Sequence, residues 1–170
     1  MLLMTSIAFV AGVAAHYRIT AYLRQDPNFG VLVAPELRQR LRLLDRRRKL
    51  IPTTPLAVVF ADIDYLHEAN ERLGYAAVDK GIREALRTRR SDRLPVPPGR
   101  IGGDELCLVC RSDTAIALCK RIQSDLKWHG LSATFAIAEV SASVEDALRS
   151  ASDICQEAKR RGERGTISVF

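Results

Sequence analysis

The sequence predicts an α+β fold in which helices pack against a mainly antiparallel sheet. Three observations carry this reading. Leu56-Ala57-Val58-Val59-Phe60-Ala61 is an unbroken apolar run rich in strand formers, as a central buried strand requires. Arg100-Ile101 and Leu106 to Cys110 flank Gly102-Gly103-Asp104-Glu105, which reads as two short strands joined by a hairpin. Segments of helical period fill the intervals, giving the order strand, two helices, hairpin, helix, strand, helix, strand.

Taken in order, the chain opens on an apolar stretch, Met1 to Ala15, that runs into His16-Tyr17-Arg18. It is short for a spanning helix, which needs about 17–25 residues, and reaches that range only when Tyr17 is counted. Arg18 and Arg24 follow it and no basic residue precedes it, so residues 1–17 as an anchor would leave the rest on the cytoplasmic side of the inner membrane. A helix that packs against a second copy, in a soluble cytoplasmic protein, is the alternative. Val13-Ala14-Ala15 resembles a signal-peptidase site, but the basic n-region is missing. Residues 1–24 are thus set apart as an N-terminal hydrophobic helix, and 25–170 as one domain.

Gln25 to Gly30 breaks regular structure, and Ala34-Pro35-Glu36 starts a helix with Pro in its first turn. Leu37, Leu41, Leu44 and Leu50 form its apolar stripe, and Pro52 and Pro55 end it. Helices are expected from Tyr65 to Leu73, Ala76 to Thr88, Asp113 to Trp128 and Val144 to Arg160. Further strands are expected from Leu131 to Ala138 and Thr166 to Phe170. Arg93 to Gly99, with three prolines, reads as a loop.

The 170 residues are enough for one domain with a real core, and the 47% hydrophobic and 27% charged fractions exclude a disordered or fibrous chain. The net charge of +6 suits nucleic acid, an anionic membrane or a phosphorylated substrate alike. Much of it lies between Arg38 and Lys49, whose ordinary reading is a solvated helix face. No nucleic-acid motif accompanies that run, so nucleic acid is not an expected partner. Cys107 and Cys110 form a lone CxxC, but within a strand residues three apart point to opposite faces and cannot share a metal. All four cysteines are read as reduced, mostly buried thiols.

Two acidic clusters stand out: Asp62 with Asp64 at a strand end, and Asp104 with Glu105 at the hairpin. Paired strands lie about 4.8 Å apart, so carboxylates from both could meet on one cation. Mg²⁺ takes one or two carboxylates plus substrate phosphates, and a pair of such ions can clamp an in-line phosphoryl displacement. Gly102 and Gly103 lack Cβ and would let a triphosphate approach the backbone. Taken singly, each cluster also fits a helix cap or a turn.

The flanks of these clusters decide the matter. Ala61 to Asp79 resembles D-x-D-x-F-K-x-x-N-D-x-x-G-H-x-x-G-D, and Arg100 to Leu106 resembles R-x-G-G-D/E-E-F, both patterns of the GGDEF family of diguanylate cyclases. Asp26 to Val31 is a weaker echo of D-x-L-T-G-L, and Ala151 to Gly162 of A-D-x-A-L-Y-x-A-K-x-x-G-R. The resemblance implies a nucleotidyl-cyclase palm with a ferredoxin-like core, in which two domains face each other and join two GTP into cyclic di-GMP. It implies Mg²⁺, or Mn²⁺ in its place, held by Asp62, the Ile63 carbonyl, Asp104 and Glu105. Asp104 or Glu105 would also help activate the 3′-hydroxyl. Asn70 and Asp79 would recognise guanine, Gly102 and Gly103 would lie against the phosphates, and Lys159 would neutralise their charge.

Departures from the pattern are specific. The family's Phe-Lys is Leu66-His67, so His67 stands where a cation is expected. The family's Gly before Asp79 is Val78. Glu163 replaces a basic residue, with Arg164 beside it as a substitute. The R-x-x-D inhibitory motif before the Gly-Gly reads Arg93-Leu94-Pro95-Val96 and lacks its Asp. Two alternatives stay open: a palm cyclase that uses ATP or mixed nucleotides, and a weakly catalytic module that binds GTP or cyclic di-GMP.

Overall fold

The computed structural model describes residues 24–50, 54–89 and 92–170. Helix α1 (Ala34–Leu50) leads into strand β1 (Leu56–Asp64), followed by α2 (Leu66–Leu73) and α3 (Tyr75–Leu86). Strands β2 (Val96–Gly102) and β3 (Glu105–Arg111) form the hairpin. A short 3₁₀ turn, Ser112–Thr114, then enters α4 (Ala115–Trp128), β4 (Ser132–Glu139), α5 (Val144–Arg160) and β5 (Ile167–Val169). The sheet order is β2-β3-β1-β4-β5, antiparallel except for the β4–β5 pair. The expected α+β palm is the observed fold.

Strand β1 is buried at all nine residues because it lies in the middle of the sheet with helices over both faces. Its alternation divides the core. Ala57, Val59, Ala61 and Ile63 pack with Val78 and Ile82 of α3 and with Leu118, Ile122 and Leu126 of α4. Val58 and Phe60 pack with Leu37 and Leu41 of α1 and with Ala147, Ala151 and Cys155 of α5. Cys107 and Cys110 fall into opposite clusters, as strand geometry requires. Burial pushes the thiols of Cys107, Cys119 and Cys155 up to about 12 and that of Cys110 to about 11. Since the thiolate is the reactive species, the native protein is expected to resist iodoacetamide at neutral pH and to react at all four thiols once unfolded, as counted by intact mass.

Four expectations need correction. Arg93–Gly99 is not all loop: Val96–Gly99 belong to β2, whose two prolines are tolerated because it is an edge strand with a register shift between Val96 and Gly99. Leu50 does not belong to the buried stripe of α1: it is 82% exposed, because at about 3.6 residues per turn it falls on the face opposite Leu37 and Leu41. Tyr65 is not helical but sits at φ 52, ψ 42, a left-handed conformation that turns the chain from β1 into α2. The second of these helices ends at Leu86 rather than Thr88. Helix α5 matches its expected span, and its start is fixed from two sides. Ser143 Oγ accepts from the Asp146 amide at 3.0 Å, and the Asp45 carboxylate of α1 accepts from the Val144 amide at 2.9 Å. The apolar stretch at residues 1–15 lies outside the described residues. Among those described, no helix is long and apolar enough to cross a membrane.

Candidate functional site

The site forms where β1 runs out beside the hairpin. In the β1–β3 ladder Asp62 lies opposite Glu105, and the Ile63 amide donates to the Asp104 carbonyl at 3.1 Å. Gly102 ends β2 opposite Glu105, and the hairpin turn is made by Gly103 and Asp104; both glycines are exposed, and Gly103 sits at φ +44, where a side chain would be strained. Asp62 is only 7% exposed, and Lys159 from α5 donates its ammonium directly to Asp62 Oδ1. Burial first, and then the nearby Asp104 charge, push the Asp62 carboxyl above the usual carboxylate range against the pull of Lys159. This is a carboxylate whose negative charge is under-compensated.

Asp64 does different work. Although it shares the face of Asp62, it turns toward β4 and the loop after α5. Ser132 Oγ and Thr134 Oγ1 each donate to it at 2.8 Å, and the Gly165 amide donates at 3.0 Å. Arg164 stands 3.7 Å from its Oδ1 and lies over the Tyr65 ring at 4.6 Å. Asp64 therefore clamps the end of β1 to β4 and to the chain leading into β5, and it seats Arg164 beside the turn that follows β1.

The hairpin has a brace that sequence reading passed over. Arg100 donates from Nε to the Gly103 carbonyl at 2.7 Å and from Nη1 to Asp26 Oδ2 at 2.9 Å, and its guanidinium covers the Phe29 ring at 4.1 Å. The other Asp26 oxygen accepts from the amides of Asn28 and Phe29, so the weak D-x-L-T-G-L echo is a tight turn docked under the hairpin. The Asp-Pro-Asn run was its available signal.

The remaining candidates lie on the α2–α3 side. Asn70 is partly buried, and its Oδ1 is buried with no hydrogen-bond partner. Asp79 is partly buried in the first turns of α3, after Gly74, whose φ of 82 makes the sharp corner between the two helices. His67 is exposed and faces Glu71 at 3.3 Å, on the outside of α2. The upstream Arg89-x-x-Asp92 pattern is already engaged: Asp92 is held by Arg121 at 3.0 Å and Arg89 by Asp125 at 3.0 Å.

Among the described residues, no group of three or more His, Cys, Asp or Glu side chains stands close enough to ring a cation by itself. The donor set still fits Mg²⁺, which completes its shell with substrate phosphates and water. Two hard-oxygen carboxylates, Asp62 and Asp104, lie together with Glu105 in register, and the raised Asp62 marks a place where positive charge is favoured.

A five-stranded sheet with this order and a Gly-Gly-Asp-Glu hairpin beside the acidic end of its central strand defines a nucleotidyl-cyclase palm domain. Solved structures of that class match it. A microbial GGDEF domain studied for its interaction with cyclic di-GMP superposes with a TM-score of 0.75 at 20% identity, over 89% of this chain and 99% of that one. A sensory box/GGDEF family protein from Caulobacter crescentus gives a TM-score of 0.62 at 25% identity, over 82% and 99%. The chain is a GGDEF-type domain, by this fold and by its Arg100–Leu106 signature. An uncharacterized protein of Mycobacterium tuberculosis is 34% identical over 134 residues, 75% of this chain but 21% of that protein. The chain thus spans about a fifth of the curated relatives it matches. No protein-family model matches it.

Proposed function

We propose that this domain is a diguanylate cyclase, condensing two GTP into cyclic di-GMP across a pair of facing domains. The observation that carries the reading is the meeting of Asp62 with the Asp104-Glu105 hairpin at the end of β1. Asp62, Asp104, Glu105 and the Ile63 carbonyl would hold Mg²⁺, which when bound polarises the phosphoryl oxygens and offsets charge at the leaving pyrophosphate. Each domain presents one GTP. Glu105 or Asp104 takes the proton from the 3′-hydroxyl of one nucleotide as that oxygen attacks the α-phosphorus of the other. Gly102 and Gly103 leave the backbone amides of the turn open to the phosphates. Lys159 and Arg164 supply the positive charge that His67 and Glu163 do not; Lys159, which donates to Asp62, would be free to reach the phosphates once that carboxylate held a cation.

The test is to incubate the protein with Mg²⁺ and GTP, ATP or both, and to identify products by mass. Cyclic di-GMP from GTP alone supports the reading. A product formed only with ATP or the mixture assigns the domain to cyclases of other nucleotides. Binding of GTP without any product makes it a nucleotide-binding module.

Guanine selectivity follows from Asn70 and Asp79. A carboxylate accepts from guanine N1–H and the N2 amino group, which adenine lacks, and the orphaned Asn70 Oδ1 is an acceptor in need of a donor. Asp79→Ala is expected to weaken GTP binding by about 10- to 100-fold, the worth of a hydrogen bond to a charged group, and to leave ATP binding unchanged in calorimetry. Product inhibition at Arg93 is expected to be absent, since Val96 offers no carboxylate and Asp92 is held by Arg121. Inhibition in the micromolar range that is abolished by Arg93→Ala would overturn this.

A further inference from the structure

The outer face of α1 around Leu43, Arg46 and Leu50 stands away from the nucleotide site, with Arg42 at its margin lining the cleft that also holds Ile101 and Glu105, and its composition is unusual for solvent. At about 3.6 residues per turn, Leu37, Leu41, Leu44 and Arg48 point toward the domain, while Gln39, Leu43, Arg46 and Leu50 point away from it. Leu43 is 54% exposed and Leu50 82% exposed, two turns apart on one line. Arg42 and Lys49 flank that line on one side and Arg47 on the other, all exposed. The acidic residues of the helix are engaged elsewhere. Glu36 is held by Arg40 at 2.8 Å and approached by Arg24 at 3.6 Å, and Asp45 turns inward to Arg48 and the Val144 amide. Arg42, Arg46, Arg47 and Lys49 make no ion pair among the described residues.

We infer that this face of α1 docks on an anionic phospholipid surface, with Leu43 and Leu50 entering the acyl boundary and Arg42, Arg46, Arg47 and Lys49 meeting the headgroup phosphates. A basic helix face with an apolar ridge has the composition of an interfacial helix. A second copy is disfavoured as the occupant, because two faces of one sign repel. Nucleic acid would satisfy the cations but would gain nothing from two exposed leucines on the same line, whereas a lipid surface uses both.

The test measures co-sedimentation of the full chain with phosphatidylcholine vesicles, with and without phosphatidylglycerol, over a range of salt. The apolar Met1–Ala15 stretch is present in every variant and sets a common background, so the quantity read is the increment in partition that phosphatidylglycerol adds. Phosphatidylglycerol is expected to raise the partition of the parent above that background, and the increment to shrink as salt screens the surface. Each replacement in the series Arg42→Gln, Arg46→Gln, Arg47→Gln and Lys49→Gln is expected to lower the partition coefficient by about fivefold. Leu43→Ser with Leu50→Ser is expected to lower it further while leaving the salt dependence in place. All of these positions are exposed, so circular dichroism is expected to match the parent. A parent that binds no better with phosphatidylglycerol than without it, or an increment that survives Arg46→Glu with Arg47→Glu, overturns the inference. So does displacement from vesicles by duplex DNA with no effect of the leucine replacements, which would assign the face to nucleic acid.

Discussion

Asp104→Ala is expected to lower cyclic di-GMP formation by on the order of 10³-fold while leaving the domain folded. The side chain is partly exposed in the hairpin turn, and the backbone carbonyl that accepts from the Ile63 amide survives the substitution. What is lost is one of the carboxylates that meet at the end of β1, so the loss falls on chemistry rather than on packing. The same variant carries a second signature. Burial and the Asp104 charge both hold the Asp62 carboxyl high, so the native state binds more protons than the unfolded chain above the ordinary Asp range. Stability from this group is therefore lost as pH rises through that window. Removing Asp104 reduces the loss, so the thermal midpoint of the variant is expected to gain on the parent as pH rises above the ordinary Asp range, about pH 4. Calorimetry across that range, paired with product quantification, reads both effects. Full activity in Asp104→Ala would end the cyclase proposal, and a midpoint difference that does not change with pH would remove the coupling to Asp62.

Asp64→Ala is expected to cost about 3–5 kcal/mol of folding stability, with no direct effect on chemistry. The carboxylate is 3% exposed and receives Ser132 Oγ, Thr134 Oγ1 and the Gly165 amide, with Arg164 alongside. Alanine leaves the buried Thr134 hydroxyl short of an acceptor and releases the loop that leads into β5. A fall in the thermal midpoint of roughly 10 °C follows for a domain of this size. Asp64→Asn keeps one acceptor oxygen in the same place and is expected to recover about half of the loss. A midpoint within the error of the parent for Asp64→Ala would mean that the clamp contributes nothing.

These two carboxylates stand two residues apart in the sequence, and their different fates show what pattern reading can and cannot reach. The run Leu56–Ala61, the Gly-Gly turn and the helical periods carry the fold because burial on one face or both is written in the order of apolar residues. The GGDEF resemblance adds where the acidic residues would act. Asp62 and Asp64 read as one cluster, however, since both end the same strand and share a face. Their partners come from positions 68 to 101 residues away, and only closure of the sheet sets which oxygen each one meets.

The same reason separates the other outcomes. The expectation that Cys107 and Cys110 occupy opposite faces rests on strand alternation, a local rule, and the two core clusters agree with it. The exposure of Leu50 follows from the helical period, which sets it opposite Leu37 and Leu41, whereas the left-handed Tyr65 depends on the turn that leads β1 into α2. Local chemistry thus prescribed the elements and the inventory of chemical groups. The pairing of Asp62 with Lys159, the Asp64 clamp and the Arg100 brace arose in the folded chain, because charge pairing across a sheet is set by register and helix docking, which no short stretch of residues encodes.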